Sequence, residues 1–161
     1  MKFLENAGEM LERLEKGGAF IVASDGERAN PMTIGWGSFG ICCGKPSFSA
    51  MIRNSRFTKE LLEKNPEFTV CFPCDSSYRS ALAFCGSKSG RDYDKIKECS
   101  LVLTDSEMIG VPGIENCAIF ECRVIFKTEM SKEKTAPETA DKWYKDNDYH
   151  VIYTGEILNV R

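Results

Sequence analysis

The sequence predicts a mainly β protein, an antiparallel barrel with short helices at its periphery, and three observations carry that prediction. The run ENCAIFECRVIFKTEM (115–130) sets Ala118, Phe120, Cys122, Val124 and Phe126 against Glu121, Arg123 and Lys127. That alternation of period two marks a strand with one buried face. About seven strand-like segments recur along the chain without long helices between them, which disfavours a doubly wound parallel sheet. Closing the sheet also spares a short chain its exposed strand edges.

Taken in order, residues 3–16 place Leu4, Ala7, Leu11 and Leu14 on one face of an amphipathic helix that Gly17-Gly18 closes. GAFIVAS (18–24) reads as a strand and SDGERANP as a turn carrying Gly26 and Pro31. MTIGWGSFGICC (32–43) is apolar but holds Gly35, Gly37 and Gly40, and glycine inside a strand marks a bulge or a close approach to the backbone. From Pro46 to Arg53, Phe48, Ala50 and Ile52 alternate with Ser47, Ser49 and Met51, a half-buried strand. Phe57, Leu61 and Leu62 then fall at helical spacing, with Asn65-Pro66 as the stop. EFTVCFP (67–73) is a strand, and Ser76 or Ser77 is placed to cap a helix running through about Phe84. GSKSGRDYDKI (86–96) is a glycine-rich loop, basic at its centre, in which Asp92 is a good cap for a short DKIKE helix. SLVLT (100–104) is a short strand, residues 137–145 a helix with Trp143 and Tyr144, and HVIYTGEILNV (150–160) the last strand.

A chain of 161 residues suits one domain with a real core, and 28% charged against 42% apolar residues is ordinary globular composition. The net charge of −3, without a long basic run, argues against a nucleic-acid partner. No apolar stretch reaches the roughly 18–20 residues of a spanning helix, and MKFLENAGEMLERLEKGG is too charged for a secretory segment. The expectation is therefore a cytoplasmic protein without a membrane anchor. Its eight cysteines then read as reduced thiols. Cys71 and Cys74 form a C-x-x-C, but no second pair stands at zinc-ribbon spacing and no βαβ pattern surrounds it. Core packing is the expectation for most of the eight, with no metal site.

One stretch carries chemistry. In MIRNSRFTKELLEK (51–64), Arg53, Ser55, Arg56 and Thr58 gather where a strand becomes a helix, with Ser55 as the expected N-cap. Cations at the positive end of a helix dipole cost about 0.3–1 kcal/mol each, so their presence there points to an anion. A phosphate would take charge-assisted hydrogen bonds from both guanidiniums. There is no G-x-x-x-x-G-K-[ST], which excludes a P-loop. A simple capped surface helix is the plainer alternative.

The run NPMTIGWGSFG, the R-x-S-R-x-T that opens the helix, SGRDYDKI (89–96) and H-x-I-x-x-G-E (150–156) occur in that order over most of residues 18–160. Together they resemble the flavin reductase-like, FMN-binding split-barrel family, and within it the flavoredoxin-like members. The resemblance implies a single domain over 1–161, with a helix at 1–17 and a six-stranded antiparallel Greek-key split β-barrel with inserted helices at 18–160. It also implies a homodimer with one FMN per subunit. Asn30, Met32 and Thr33 would line the flavin edge, and Trp36, on the same strand, would stand beside the ring or in the core. Arg53, Ser55, Arg56 and Thr58 would hold the phosphate, Ser89, Gly90 and Arg91 would form a loop over the cofactor, and His150 would stand near the reactive face. The implied activity is a flavin-dependent oxidoreductase, an NAD(P)H:flavin reductase in which NADH or NADPH donates hydride and His150 or Arg91 orients it. The alternatives are a flavoredoxin-like carrier serving an electron-transfer protein, and a non-enzymatic barrel binding another ligand or haem. Ile96 stands where the family pattern has Phe. Without the resemblance, Asn30-Pro31 is a turn, Gly35 and Gly37 a barrel bend, Arg91-Asp92 a helix cap, and His150, the only histidine, a structural residue.

Overall fold

The alternating segments pair into one antiparallel sheet, seven strands among residues 6–161, which this computed structural model describes. In chain order the elements are helix α1 (Ala7–Gly17) and strands β1 (Ala19–Ser24), β2 (Ala29–Ile34), β3 (Gly37–Cys42) and β4 (Lys45–Arg53). Helix α2 (Phe57–Lys64), strand β5 (Glu67–Pro73), helix α3 (Arg79–Ser87) and helix α4 (Lys95–Glu98) follow. Two-residue strands β6 (Leu103–Thr104) and β7 (Gly113–Ile114), strand β8 (Cys117–Glu129), helix α5 (Pro137–Trp143) and strand β9 (His150–Val160) complete the chain. The main sheet has the order β2-β1-β5-β8-β9-β4-β3, and β6 and β7 pair separately.

Seven strands stand where the resemblance implied six, because the run read as one strand over 32–43 breaks at Gly35-Trp36. Its first half continues β2 against β1, and its second half becomes β3 against β4 at the opposite edge of the sheet. Gly37 permits the crossing: a Cβ there would lie 2.5 Å from the Phe48 ring. Residues 29–31, expected in a turn, already belong to β2; Pro31 is tolerated because an edge strand need not pair both sides. Only Leu103 and Thr104 of the expected strand at 100–104 pair.

The sheet curls until its edge meets its middle. Phe39 of β3 lies 4.9 Å from Phe48, 5.0 Å from Phe120 and 6.0 Å from Phe72, ring centre to ring centre. These aromatics, with Ile21, Phe68 and Val70, form the main core, on which Leu61 and Leu62 of α2 pack. Met10 and Leu14 are the buried side chains of α1, whereas Leu11, expected on that face, is 40% exposed; Leu4 lies outside the described residues. A second core, with Phe20, Val22, Cys71, Leu82 and Ile114, fills the space between β1 and α3, so β1 is buried on both faces. Five of the eight cysteines pack in or against these cores. No described helix is long and apolar enough to cross a membrane.

Two helix caps differ from expectation. Asp75, not Ser76 or Ser77, accepts the Ser77 N–H at 2.8 Å, and Asp94, not Asp92, caps α4 through the Lys97 N–H. Asp75 is an ionised acceptor where the serines are neutral, and Asp94 immediately precedes the first helical residue, Lys95, whereas Asp92 stands three residues before it. The expected helix at 137–145 ends at Trp143.

Strand β8 shows where alternation misleads. The register shifts at Glu121/Cys122 and Val124/Phe126; Phe126 is 51% exposed, and Glu121 is completely buried. The Glu121 carboxylate accepts the backbone N–H groups of Glu107 and Met108 and the Asn159 amide, and pairs with Arg161 at 3.3 Å. The chain after β6 folds back over this face of the sheet, and the carboxylate anchors it. Glu121→Ala should lower the unfolding free energy by about 3 kcal/mol, because it strands buried N–H donors and a guanidinium; urea denaturation measures this.

Candidate functional site

Two hollows lie side by side at the end of β4, on either side of one arginine. The larger, ≈ 250 Å³, is bounded by Met32 and Thr33 of β2, Trp36 of the β2–β3 turn, Arg53, Trp143 and His150. The smaller, ≈ 200 Å³, is bounded by Asn30, Ser55, Thr58, Ser89, Gly90, Arg91 and Lys95. Arg56 lines both.

In the larger cleft, Arg53 and His150 are cross-strand partners on β4 and β9. Arg53 donates to the carbonyls of Asp148 and Trp143, each at 2.9 Å, and its guanidinium lies 5.3 Å above the Tyr144 ring. It fastens the segment after α5 across the sheet instead of pointing a free charge at a ligand. The Tyr144 hydroxyl meets His150 Nδ1 at 2.7 Å. Trp36 stands 5.1 Å from both the Trp143 and His150 rings; it lies in the Gly35-Trp36 turn and not on the strand of Met32, as had been expected. His150 is 7% exposed, and burial, aided by the nearby Arg53 charge, pushes its pKa down to about 4. The imidazole is therefore neutral near neutral pH.

The smaller hollow holds the unusual electrostatics. Arg56 donates to the carbonyls of Gly86 at 2.8 Å and Cys85 at 3.2 Å, and its Nε lies 3.1 Å from Met32 Sδ. Lys95, 3% exposed, donates to the carbonyls of Pro31 at 3.1 Å and Cys85 at 3.0 Å. Neither cation has an ion-pair partner among the described residues. Burial lowers the Arg56 pKa and pushes that of Lys95 down to about 8. The carbonyls of Cys85 and Gly86 come from the last turn of α3, whose dipole presents partial negative charge there. That compensates in part. Two charges taken from water without a carboxylate remain a cost that a bound anion would remove.

The remaining residues brace the hollow. Helix α2 begins at Phe57 with Arg56, not Ser55, in the N-cap position, and no side chain caps it. Ser55 instead turns its N–H and hydroxyl to the Asp148 carboxylate, at 3.0 and 2.6 Å. Arg91 pairs with Glu60 and donates to the Ser55 carbonyl. Asn30 donates to the Thr58 hydroxyl at 3.1 Å, both buried. Gly90 lies against this pair, where a Cβ would come within 1.9 Å of Asn30 Oδ1. Thr33 donates its hydroxyl to the Leu82 carbonyl.

The structure thus gathers Asn30, Ser55, Arg56, Thr58, Ser89, Gly90 and Arg91 in one hollow, and Met32, Thr33, Trp36, Arg53 and His150 in the other. Arg91 and His150, expected to share one catalytic role, line different hollows. Sequence reasoning left out Lys95 and named Trp143 only as part of a helix. Lys95 stood inside the SGRDYDKI stretch, but nothing local marks a lysine as buried.

The sequence profile described as the flavin reductase like domain matches residues 11–161. The chain belongs to the flavin reductase-like family. This member is 30% identical over 152 residues to an uncharacterized protein of Archaeoglobus fulgidus, covering 94% of this chain and 75% of that one. Its fold is similar to that of a flavoredoxin of Desulfovibrio vulgaris (Miyazaki F), with a TM-score of 0.69, 22% identity, and 89% of this chain and 68% of that chain covered. It is also similar to an FMN-binding protein from Thermus thermophilus with bound 1-cyclohex-2-enone, with a TM-score of 0.67, 25% identity, and 89% and 68% coverage.

His150 gives this flavin reductase-like protein a readable titration. Its pKa is lowered on folding, so between about 4 and the unfolded value near 6.5 the unfolded chain binds the extra proton. Native stability should fall as pH drops through that window, and His150→Gln should remove part of the slope. In NMR, the single histidine should remain neutral at pH 6.

Proposed function

We propose that this protein binds FMN and transfers electrons as an NAD(P)H-dependent flavin oxidoreductase. The phosphate would lie in the smaller hollow and the ring system along β2 beside the Trp36–His150 cleft. The observation that carries the reading is buried Lys95 beside half-buried Arg56, neither with a carboxylate partner among the described residues.

The donor set fits a phosphate dianion. Arg56 and Lys95 lie on its walls, and each charge-assisted hydrogen bond contributes about 1.5–3 kcal/mol. The first turn of α2, uncapped by any side chain, presents its N–H groups at the same place. Strand β2 is an edge strand, so its outward main-chain groups other than the Pro31 carbonyl, which Lys95 occupies, can meet the polar rim of a flat heteroaromatic ring. Bound flavin supplies hydride and one-electron chemistry that no side chain here possesses. The residues of this chain bind, orient and shield. Ser55, Arg91 and Asn30 brace the cradle, and Arg53 holds Trp143 over the cleft. Neutral His150 offers hydrogen bonding without a positive charge. The cleft beside the edge-to-face Trp36–Trp143 pair would take the nicotinamide ring of NADH or NADPH.

The purified protein should be yellow, or bind added FMN with shifted visible bands; a colourless protein without FMN affinity refutes the reading. Negligible NADH and NADPH oxidation with tightly bound FMN would make it an electron carrier with the same cofactor. Arg56→Ala and Lys95→Met should each weaken FMN by about 10- to 100-fold while riboflavin changes little. Because Lys95 titrates at about 8 in the absence of ligand, the preference for FMN over riboflavin should diminish as pH rises through that value.

A further inference from the structure

At the far end of the β3–β4 hairpin from the cleft, two adjacent cysteines point the same way. Successive residues of a strand ordinarily project to opposite faces. Here Cys42 ends β3, and Cys43-Gly44 form a two-residue turn with φ of +52° and +74° before Lys45 opens β4. Positive φ at both central residues is the requirement of the tight hairpin turn that favours Asn-Gly. A cysteine in the first of these positions accepts left-handed strain that asparagine tolerates better. Its result is a Cys42 Sγ to Cys43 Sγ distance of 3.8 Å, with Cys43 exposed and Cys42 half-buried.

That distance has a chemical meaning. Two thiolates bound at about 2.3 Å to a tetrahedral ion stand about 3.8 Å apart. We propose that Cys42 and Cys43 form a two-thiolate binding site for a thiophilic d10 cation such as Zn2+ or Cd2+, separate from the flavin site. Binding forms two metal–sulfur bonds and releases the two thiol protons to solvent, with no change of oxidation state. No third histidine, cysteine or carboxylate completes a ligand cluster among the described residues, so the remaining coordination positions open to water or a small solvent-borne ligand. Lys45, the residue that opens β4 after the turn, pairs with Glu156 at 2.5 Å. Soft sulfur ligands select such ions over Mg2+ and Ca2+.

The test is a titration of the reduced full chain with Cd2+ alone, under anaerobic conditions, followed by thiolate-to-metal charge-transfer absorbance. The wild type should bind one Cd2+ more than Cys42→Ser and one more than Cys43→Asn, and Cys74→Ser should bind as the wild type does. Cys43→Asn keeps a residue suited to the left-handed turn, so its thermal midpoint should be unchanged or higher, separating lost binding from lost structure. Equal Cd2+ uptake by wild type and Cys43→Asn overturns the proposal, as does loss of that equivalent in Cys74→Ser. FMN affinity should be the same in all four proteins, so the outcome is independent of the flavin reading.

Discussion

The site depends on one unusual arrangement: Arg56 and Lys95 converge on the carbonyl of Cys85, without a carboxylate among the described residues to balance them. Two like charges at one acceptor repel, and burial penalises both. What holds them is geometry imposed from three sides. The last turn of α3 supplies carbonyls at its negative end, Pro31 adds another from β2, and the start of α2 fixes the Arg56 backbone. The cradle is therefore preorganised and electrostatically unfinished. An anion entering it meets donors already in place and loses little to reorganisation.

The second constraint is mechanical. Arg53 was read as a phosphate ligand, but its donors are directed to the Trp143 and Asp148 carbonyls, and Asp148 in turn holds Ser55. One cation thus ties the end of β4 to the segment that carries Trp143 and Tyr144, and that segment buries His150. Arg53 acts twice on the histidine. It helps lower the imidazole pKa through charge and does so again by fastening the cover that excludes water. The larger cleft is in this way aromatic along Trp36, Trp143 and neutral His150, with Arg53 and Arg56 also lining it, while the smaller hollow is cationic. A ligand spanning both needs an anionic tail and a flat, weakly polar head.

Much of the fold was legible. EFTVCFP and HVIYTGEILNV form strands with the bounds read from the sequence, because in each a short apolar run is itself the buried segment. The reading failed where a long-range layer reversed a local rule. Glu121 sits in an outward register, yet the chain beyond β6 covers that face and turns a surface position into the most enclosed carboxylate among the described residues. The run 32–43 looked continuous because its residues are apolar throughout. Only the Phe48 ring, against which Gly37 passes, shows why it must divide between opposite edges of the sheet.

From its residues alone, the chain determined a mainly antiparallel β architecture, and its quoted motifs the family and the stretch, residues 53–58, around which the proposed anion site lies. These follow from periodicity and from the charge of a helix start, both properties of a few consecutive residues. The tertiary structure decided which cations lack a counter-charge: Arg53 and Arg91 are absorbed in bracing, and Arg56 is joined by Lys95, which was not among the candidates. Desolvation and ion pairing depend on what other elements place within a few ångströms, and no spacing along the chain encodes that.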